Sequence, residues 1–168
     1  LPNKHFDTLL YSGTGSSQSI TGLEFQPDWV WIKKRNGAEN HELQDAVRGA
    51  TKRLASNTDD VESTVSGSIN AFNSDGFTVV DAGTTNENGN TYAAWNWKGG
   101  GSASSNGDGS LTSSVSANTT AGFSIVSWTS TGTTGSTIGH GLGVKPDVII
   151  LARGGGSLED LMLSLIHI

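Results

Sequence analysis

The run His41-Glu42-Leu43-Gln44-Asp45 holds the residues with the most obvious chemical potential. It begins like the His-Glu-x-x-His signature of zinc proteases. There two His one helical turn apart hold the metal, and the Glu serves as base. Here Asp45 stands in place of the second His, and the segment reads better as a strand, so no metal is assigned. Asn73-Ser74-Asp75-Gly76 looks like part of a calcium loop. Setting Gly76 at the loop's obligatory Gly puts Ala71 and Ala82 at the first and last ligand positions, and neither can bind a cation. A β-turn is expected there. Asp59, Asp60 and Glu62 cluster in a polar segment. Glycoside hydrolysis needs two carboxyls held roughly 5–10 Å apart across a bond, and a mobile loop is a poor platform for that. His140, between Gly139 and Gly141, is a lone turn histidine. Phosphate-loop and nucleophile-elbow motifs are missing from the sequence. The reading is a non-enzyme with no cofactor.

Composition narrows the field further. There is no Cys, which excludes disulfides, thiolate chemistry and cysteine-ligated zinc. The net charge of −6 argues against a nucleic-acid surface. No apolar run is long enough to span a membrane as a helix. Gly, Ser, Thr and Asn are dense and helix formers sparse, which suits short strands joined by turns.

The elements that must position these residues are strands. His5–Tyr11, Ser19–Phe25, Asp28–Lys33, Ile69–Phe72, Phe77–Asp81 and Thr91–Lys98 read as strands. Asp28–Lys33 is apolar on both faces, which predicts a central, doubly covered strand. Asn36-Gly37 is the strongest type I′ turn dipeptide. Residues 41–54 fit either a helix or two strands, near 41–47 and 52–57, turned at Arg48-Gly49; the strands are preferred. Segments 57–68 and 83–90 are expected loops. Leu111–Val115, Gly122–Ser130 and Asp147–Ala152 read as further strands.

An internal repeat organises the chain. The stretch from Phe6 to Arg35 returns, altered, from Phe123 to Arg153. Gly22-Leu23 matches Gly141-Leu142, and Pro27-Asp28 matches Pro146-Asp147, with a small insertion in the second copy. The expected organisation is a complete unit of about eight strands at 5–101 and a Gly/Ser linker at 102–109. A partial second unit follows at 110–155, then a non-native tail at 156–168. Within that tail, Leu163–Ile168 resembles the translation of a transposon-end sequencing adapter, marking the chain as a metagenomic fragment. The fold expected is all-β: an antiparallel β-sandwich, jelly-roll or concanavalin-like, followed by a truncated second copy.

The repeat also sorts the aromatics. Trp29 and Trp31 share one strand face, as do Trp95 and Trp97. Such pairs can stack against sugar C–H groups. Trp29 aligns with Val148 and Trp31 with Ile150, and a position that takes Trp or a β-branched aliphatic reads as core. Trp95 and Trp97 have no second copy to compare. They are the candidate ligand-binding pair, with core burial as the competing reading. Pro27 and Asp28 mark the hinge where the central strand begins. Asp45 and Arg48 are expected to form a structural carboxylate–guanidinium fork at the Gly49 corner.

The opening FDTLLYSGTGSSQSITGLEFQPDWVWIKKR, then DAVRGATKRLASN, AFNSDGFTVV and NGNTYAAWNWKGGG, resemble an uncharacterised repeat domain of tailed, often marine, phages. That resemblance implies a tail-fibre-like virion protein whose partners are other virion proteins or copies of itself, with a host surface glycan as a ligand. It implies no catalytic residue; nucleic acid and membrane are set aside by the charge and the hydropathy above. The alternatives are a carbohydrate-binding or adhesin module of a bacterial surface protein, placed extracellularly or on the cell surface, and a glycan depolymerase.

Overall fold

In the computed structural model, which describes residues 2–145, strand β3 (Trp29–Lys34) lies inside a six-stranded antiparallel sheet. The order across that sheet is β1 (Phe6–Ser12), β9 (Thr91–Trp97), β3, β4 (Glu42–Asp45), β5 (Gly49–Leu54) and β6 (Ser63–Thr64). A second sheet runs β2 (Gln18–Thr21), β8 (Gly76–Val79), β7 (Ile69–Asn73). A third runs β10 (Ser104–Asn106), β11 (Ser113–Asn118), β12 (Phe123–Trp128). The fold is all-β and antiparallel in its sheets, with one helical turn, α1 (Gly83–Asn86), and a short 3-10 turn at Pro2–Lys4.

Both faces of β3 are used. Strand alternation sends Val30 and Ile32 to one face and Trp29 and Trp31 to the other. Val30 and Ile32 are fully buried with Tyr92 and Ala94 of β9. Ile20, Ile69, Phe77 and Val79 of the smaller sheet complete that cluster. Burying an aliphatic or aromatic side chain of this size contributes about 1.5–3 kcal/mol, so this shared core is what holds the two sheets together. Pro27 stands just outside the ladder. The first bond is made by the Asp28 N–H, to Trp97 O at 2.8 Å, so the N–H that Pro lacks is not needed.

Long-range pairing closes the larger sheet. β9 inserts between β1 and β3, pairing from Phe6↔Trp97 to Ser12↔Thr91 on one side and from Trp29↔Trp97 to Lys34↔Tyr92 on the other. Residues 41–54 form two strands, β4 and β5, turned at 46–48. Gly49 takes φ 109° at the corner, a region that L side chains disfavour.

Several local expectations change. Asn36-Gly37 is not a type I′ turn, because neither residue has the positive φ that turn requires. β3 runs on past β4 to pair Lys33 and Lys34 with β9, and Asn36 Oδ1 accepts the Thr91 N–H at 3.0 Å. The segment 57–68 contains β6, and 83–90 contains α1. Strands β1 to β9 lie within 5–101, one more than expected. Ser104–Asn106, inside the Gly/Ser stretch 102–109, pairs with β11. β11 begins at Ser113 rather than Leu111, which instead bridges to Ile138. The two copies share local geometry: Gly22 and Gly141 both have positive φ, and Leu23 and Leu142 are both buried. Pro146-Asp147, the expected strand at 147–152 with Val148 and Ile150, and the tail at 156–168 lie outside the described residues.

Candidate functional site

The register of β1, β9 and β3 gathers all four candidate tryptophans on one sheet face. Trp97 lies opposite both Phe6 and Trp29, and Trp95 lies opposite Thr8 and Trp31. They form two rows. In the first, ring centroids are 4.8 Å apart for Phe6–Trp97 and 4.5 Å for Trp29–Trp97. In the second, Trp31 and Trp95 meet edge-on at 6.1 Å and 68°.

The first row is covered. Phe123 of β12 stacks on Trp29 at 5.9 Å and 16°, and on Trp97 at 6.2 Å and 21°. Ile125 packs on the same cluster, with Leu43 and Leu54. Polar contacts lock this seam. The Asn118 amide nitrogen reaches His5 Nδ1 at 3.0 Å and Lys98 O at 3.1 Å. The Gly100 N–H donates to Ser116 Oγ at 2.9 Å, and that hydroxyl donates to Gly101 O at 2.7 Å. A Cβ on Gly100 would overlap the Ala117 carbonyl, so glycine permits the close approach.

The second row is not covered in this way. Trp95 is half-buried, with Trp31 as its aromatic neighbour among the described residues. On β1, Leu10 is 64 % exposed beside it on the same face. Trp31 Nε1–H donates to His41 Nδ1 at 2.8 Å, which leaves the neutral ring's proton on Nε2. Burial, and then the Lys33 charge, push the His41 pKa below its ordinary value of 6.5. Both members of the candidate ligand-binding pair are half-buried; Trp97 packs against Phe6, Trp29 and Phe123, and Trp95 has Trp31 as its aromatic neighbour among the described residues.

Asp45 and Arg48 meet at the corner. Arg48 Nε lies 2.6 Å from Asp45 Oδ2, while Asp45 Oδ1 accepts the Val47 and Arg48 N–H groups at 3.0 and 2.9 Å. Asp28 is buried at the strand's start, and Gln26 Nε2 reaches its Oδ1 at 3.4 Å. The residues of the zinc-like run do not converge. Glu42–Asp45 form β4 and His41 precedes it, so Glu42 and Leu43 point to opposite faces, and both are buried. Glu42 pairs with Arg53 at 2.9 Å, a contact that is ionic because the Arg53 Nε–H is not aligned for a hydrogen bond. Burial pushes the Glu42 pKa up against the opposing effects of Thr84, Arg53 and Ser68. Glu62 pairs with Arg48 at 3.0 Å, and Asp59 and Asp60 are exposed. His140 Nδ1 accepts the Leu142 N–H at 3.1 Å. Among the described residues no group of three His, Asp or Glu could hold a metal. An open polar groove of about 460 Å³ runs beside β10 and β11, lined by Ser104, Asn106, Asp108 and Gly141 among others.

Buried polar side chains were not foreseen. Gln44 bridges the sheets: its Oε1 accepts from Ser68 Oγ at 2.7 Å and from the Ile69 N–H at 3.2 Å, and its Nε2 donates to Ala50 O. Asn86 ties α1 to the β1–β2 loop through Thr14 N, Gln18 Nε2 and Ser16 O. No local motif signals either residue, since most of these partners are remote in sequence.

A family model described as "Domain of unknown function (DUF7483)" matches residues 1–164. The chain belongs to that family. The DUF7483 match takes in the aromatic face, the seam and the β10–β12 sheet together. Its description assigns neither a virus nor an activity. No curated protein and no solved structure matches this DUF7483 chain.

Proposed function

We propose that the chain is a non-catalytic stacking module of a phage tail-fibre-like virion protein, with a host surface glycan taken at Trp95. The observation that carries this reading is the seam: Phe123 of the second copy seated on Trp29 and Trp97 of the first. A unit whose aromatic face accepts the opening strand of the next can be strung into a stiff array. Weak sites repeated along such an array gain avidity without any new contact. The core shared by the six-stranded and the β2–β8–β7 sheets supports a sandwich of jelly-roll or concanavalin type. Copies of the same unit and other virion proteins are then its partners, and the virion its location.

A second reading, a glycan-binding or adhesin module of a bacterial surface protein, rests on the same half-buried Trp95. Gene neighbourhood separates the two: capsid or tail genes beside the coding sequence support the virion, and secretion or cell-wall genes overturn it. The seam is tested with Phe123→Ala. Acrylamide quenching of tryptophan fluorescence should rise as Trp29 and Trp97 open to solvent, and unchanged quenching refutes the stacking. A glycan array probed with the chain and with Trp95→Ala tests the ligand. Binding that survives the substitution removes Trp95 from the site.

A further inference from the structure

Lys33 is a half-buried cation that pairs with no carboxylate among the described residues. Its ammonium donates instead to two neutral carbonyls, Lys34 O at 3.1 Å and Glu39 O at 3.0 Å. An ammonium has three donors, so one is left over. Carboxylates are not scarce, since the chain has 16 acidic residues against 10 basic ones. Glu39, whose carbonyl Lys33 holds, directs its own carboxylate to α1, where a Cβ on Gly83 would meet its Oε1 at 3.8 Å. Lys34 points to the opposite face of β3 and has the partner that Lys33 lacks, Glu87 at 2.7 Å.

The register puts this unpaired charge on the aromatic face. Lys33 lies opposite Ala93 of β9, two residues from Trp95 on the same face. Lys33 and Trp95 are therefore diagonal cross-strand neighbours, about 7–8 Å apart and within reach of a long side chain. Thr8, directly opposite Trp95 on β1, is exposed, and so is Leu10. On the β4 side stands His41, its ring centroid 5.6 Å from that of Trp31. Trp31 Nε1–H occupies its Nδ1, so the Nε2–H of the neutral ring is a donor with no partner among the described residues. Two unused donors, one of them cationic, thus flank the Trp31–Trp95 pair.

We propose that the ligand of this face is a carboxylated sugar, a uronic- or sialic-acid unit whose ring stacks on Trp95 and whose carboxylate takes the spare N–H of Lys33 and the Nε2–H of His41. This rests on the reading of Trp95 as a glycan site. Stacking by itself selects no particular sugar, because apolar C–H faces are common to most of them. The charge does select. A carboxylate offers one oxygen to each donor, and its bond to an ammonium is stronger than a bond between neutral groups. A neutral sugar leaves Lys33 without a counter-charge, as it is in the free protein.

The probe is an array of oligosaccharides ending in glucuronic or sialic acid, each printed beside its carboxyl-reduced alcohol. It is read with the full chain, with Lys33→Met and with Trp95→Ala. The full chain should favour each acid over its alcohol about tenfold, the worth of one charge-assisted hydrogen bond. Lys33→Met should bring that ratio to within about twofold, and Trp95→Ala should abolish binding of the acids. Equal binding of acid and alcohol by the full chain overturns the proposal; if Trp95→Ala loses both, the stacking reading survives it. A preference for the acid that persists in Lys33→Met also overturns it. Binding to no member, or an acid preference retained in Trp95→Ala, overturns the proposal and the stacking reading together. The comparison of acid with alcohol needs no variant, so the proposal stays testable even if Lys33→Met folds poorly.

Discussion

Arg48→Ala should destabilise the fold without touching the aromatic face. Three of the five guanidinium N–H directions are used: Nε to Asp45 at 2.6 Å, one terminal nitrogen to Glu62 at 3.0 Å, and the other to Leu43 O at 3.3 Å. The Arg48 side chain is 15 % exposed and that of Asp45 5 %. Truncation leaves a nearly buried carboxylate with two backbone donors on Oδ1 and none on Oδ2. Removing one member of a fully buried pair costs about 3–5 kcal/mol. The two remaining donors and the partial exposure of Arg48 bring this down, and the half-exposed Glu62 pair adds under about 1 kcal/mol. A loss of about 2–3 kcal/mol follows, which for a chain of this size lowers Tm by roughly 5–10 °C. Thermal and urea unfolding followed by tryptophan fluorescence measure it. A double-mutant cycle with Asp45→Ala isolates the pair. A Tm shift under about 2 °C, or a coupling energy near zero, refutes the assignment of Arg48 as a structural residue.

Three further outcomes follow from the same geometry. Glu42 has a folded-state pKa raised above 4.5 by burial, so folding favours its protonated form. Its contribution is fully present below the unfolded value and is lost as pH rises through the folded one. Glu42→Gln should therefore gain Tm relative to the unaltered chain between pH 4 and 7, and a constant or shrinking difference contradicts this. Gly100→Ala forces a methyl into the Ala117 carbonyl and should speed amide exchange across β10–β12 at least about tenfold, with β7 and β8 unchanged; equal exchange at the seam refutes the tight approach. His41 should titrate below 6.5 in an NMR experiment. Trp31→Phe should raise its pKa, because a donor to Nδ1 favours the neutral ring; an unmoved titration denies that bond any influence.

What the sequence made legible is what local chemistry controls. β3 reads as doubly covered because its apolar residues run without alternation, and the structure buries Val30 and Ile32 on one side and Trp29 on the other. The corner at Arg48-Gly49 reads from the glycine and its flanking charges, and strands β4 and β5 meet there. What stayed hidden depends on partners distant in the chain. Asn36-Gly37 has the composition of a tight hairpin, yet β3 runs on beside β9 before a longer loop returns the chain to pair with β4, and the Thr91 N–H donates to the Asn36 side chain. No window around Gln44 contains Ser68, and none around Asn86 contains Thr14.

The tryptophans show the same boundary within one site. Alternation alone places Trp95 and Trp97 on a common face, as it does Trp29 and Trp31. It cannot say that antiparallel register would bring all four onto the same face of the same sheet. Nor can it say that Phe123, nearly thirty residues beyond Trp95, would cover one row and leave the other. That difference separates two roles for chemically identical side chains. Trp97 sits among three aromatic neighbours, Phe6, Trp29 and Phe123, so a sugar stacking on that ring competes with the seam. Trp95 lies one row further along β9, where no residue of β12 stacks on it among the described residues. If this face binds a ligand, binding and unit-to-unit docking occupy adjacent rows of one sheet. Trp95→Ala should then alter the first and spare the second, and Phe123→Ala the reverse.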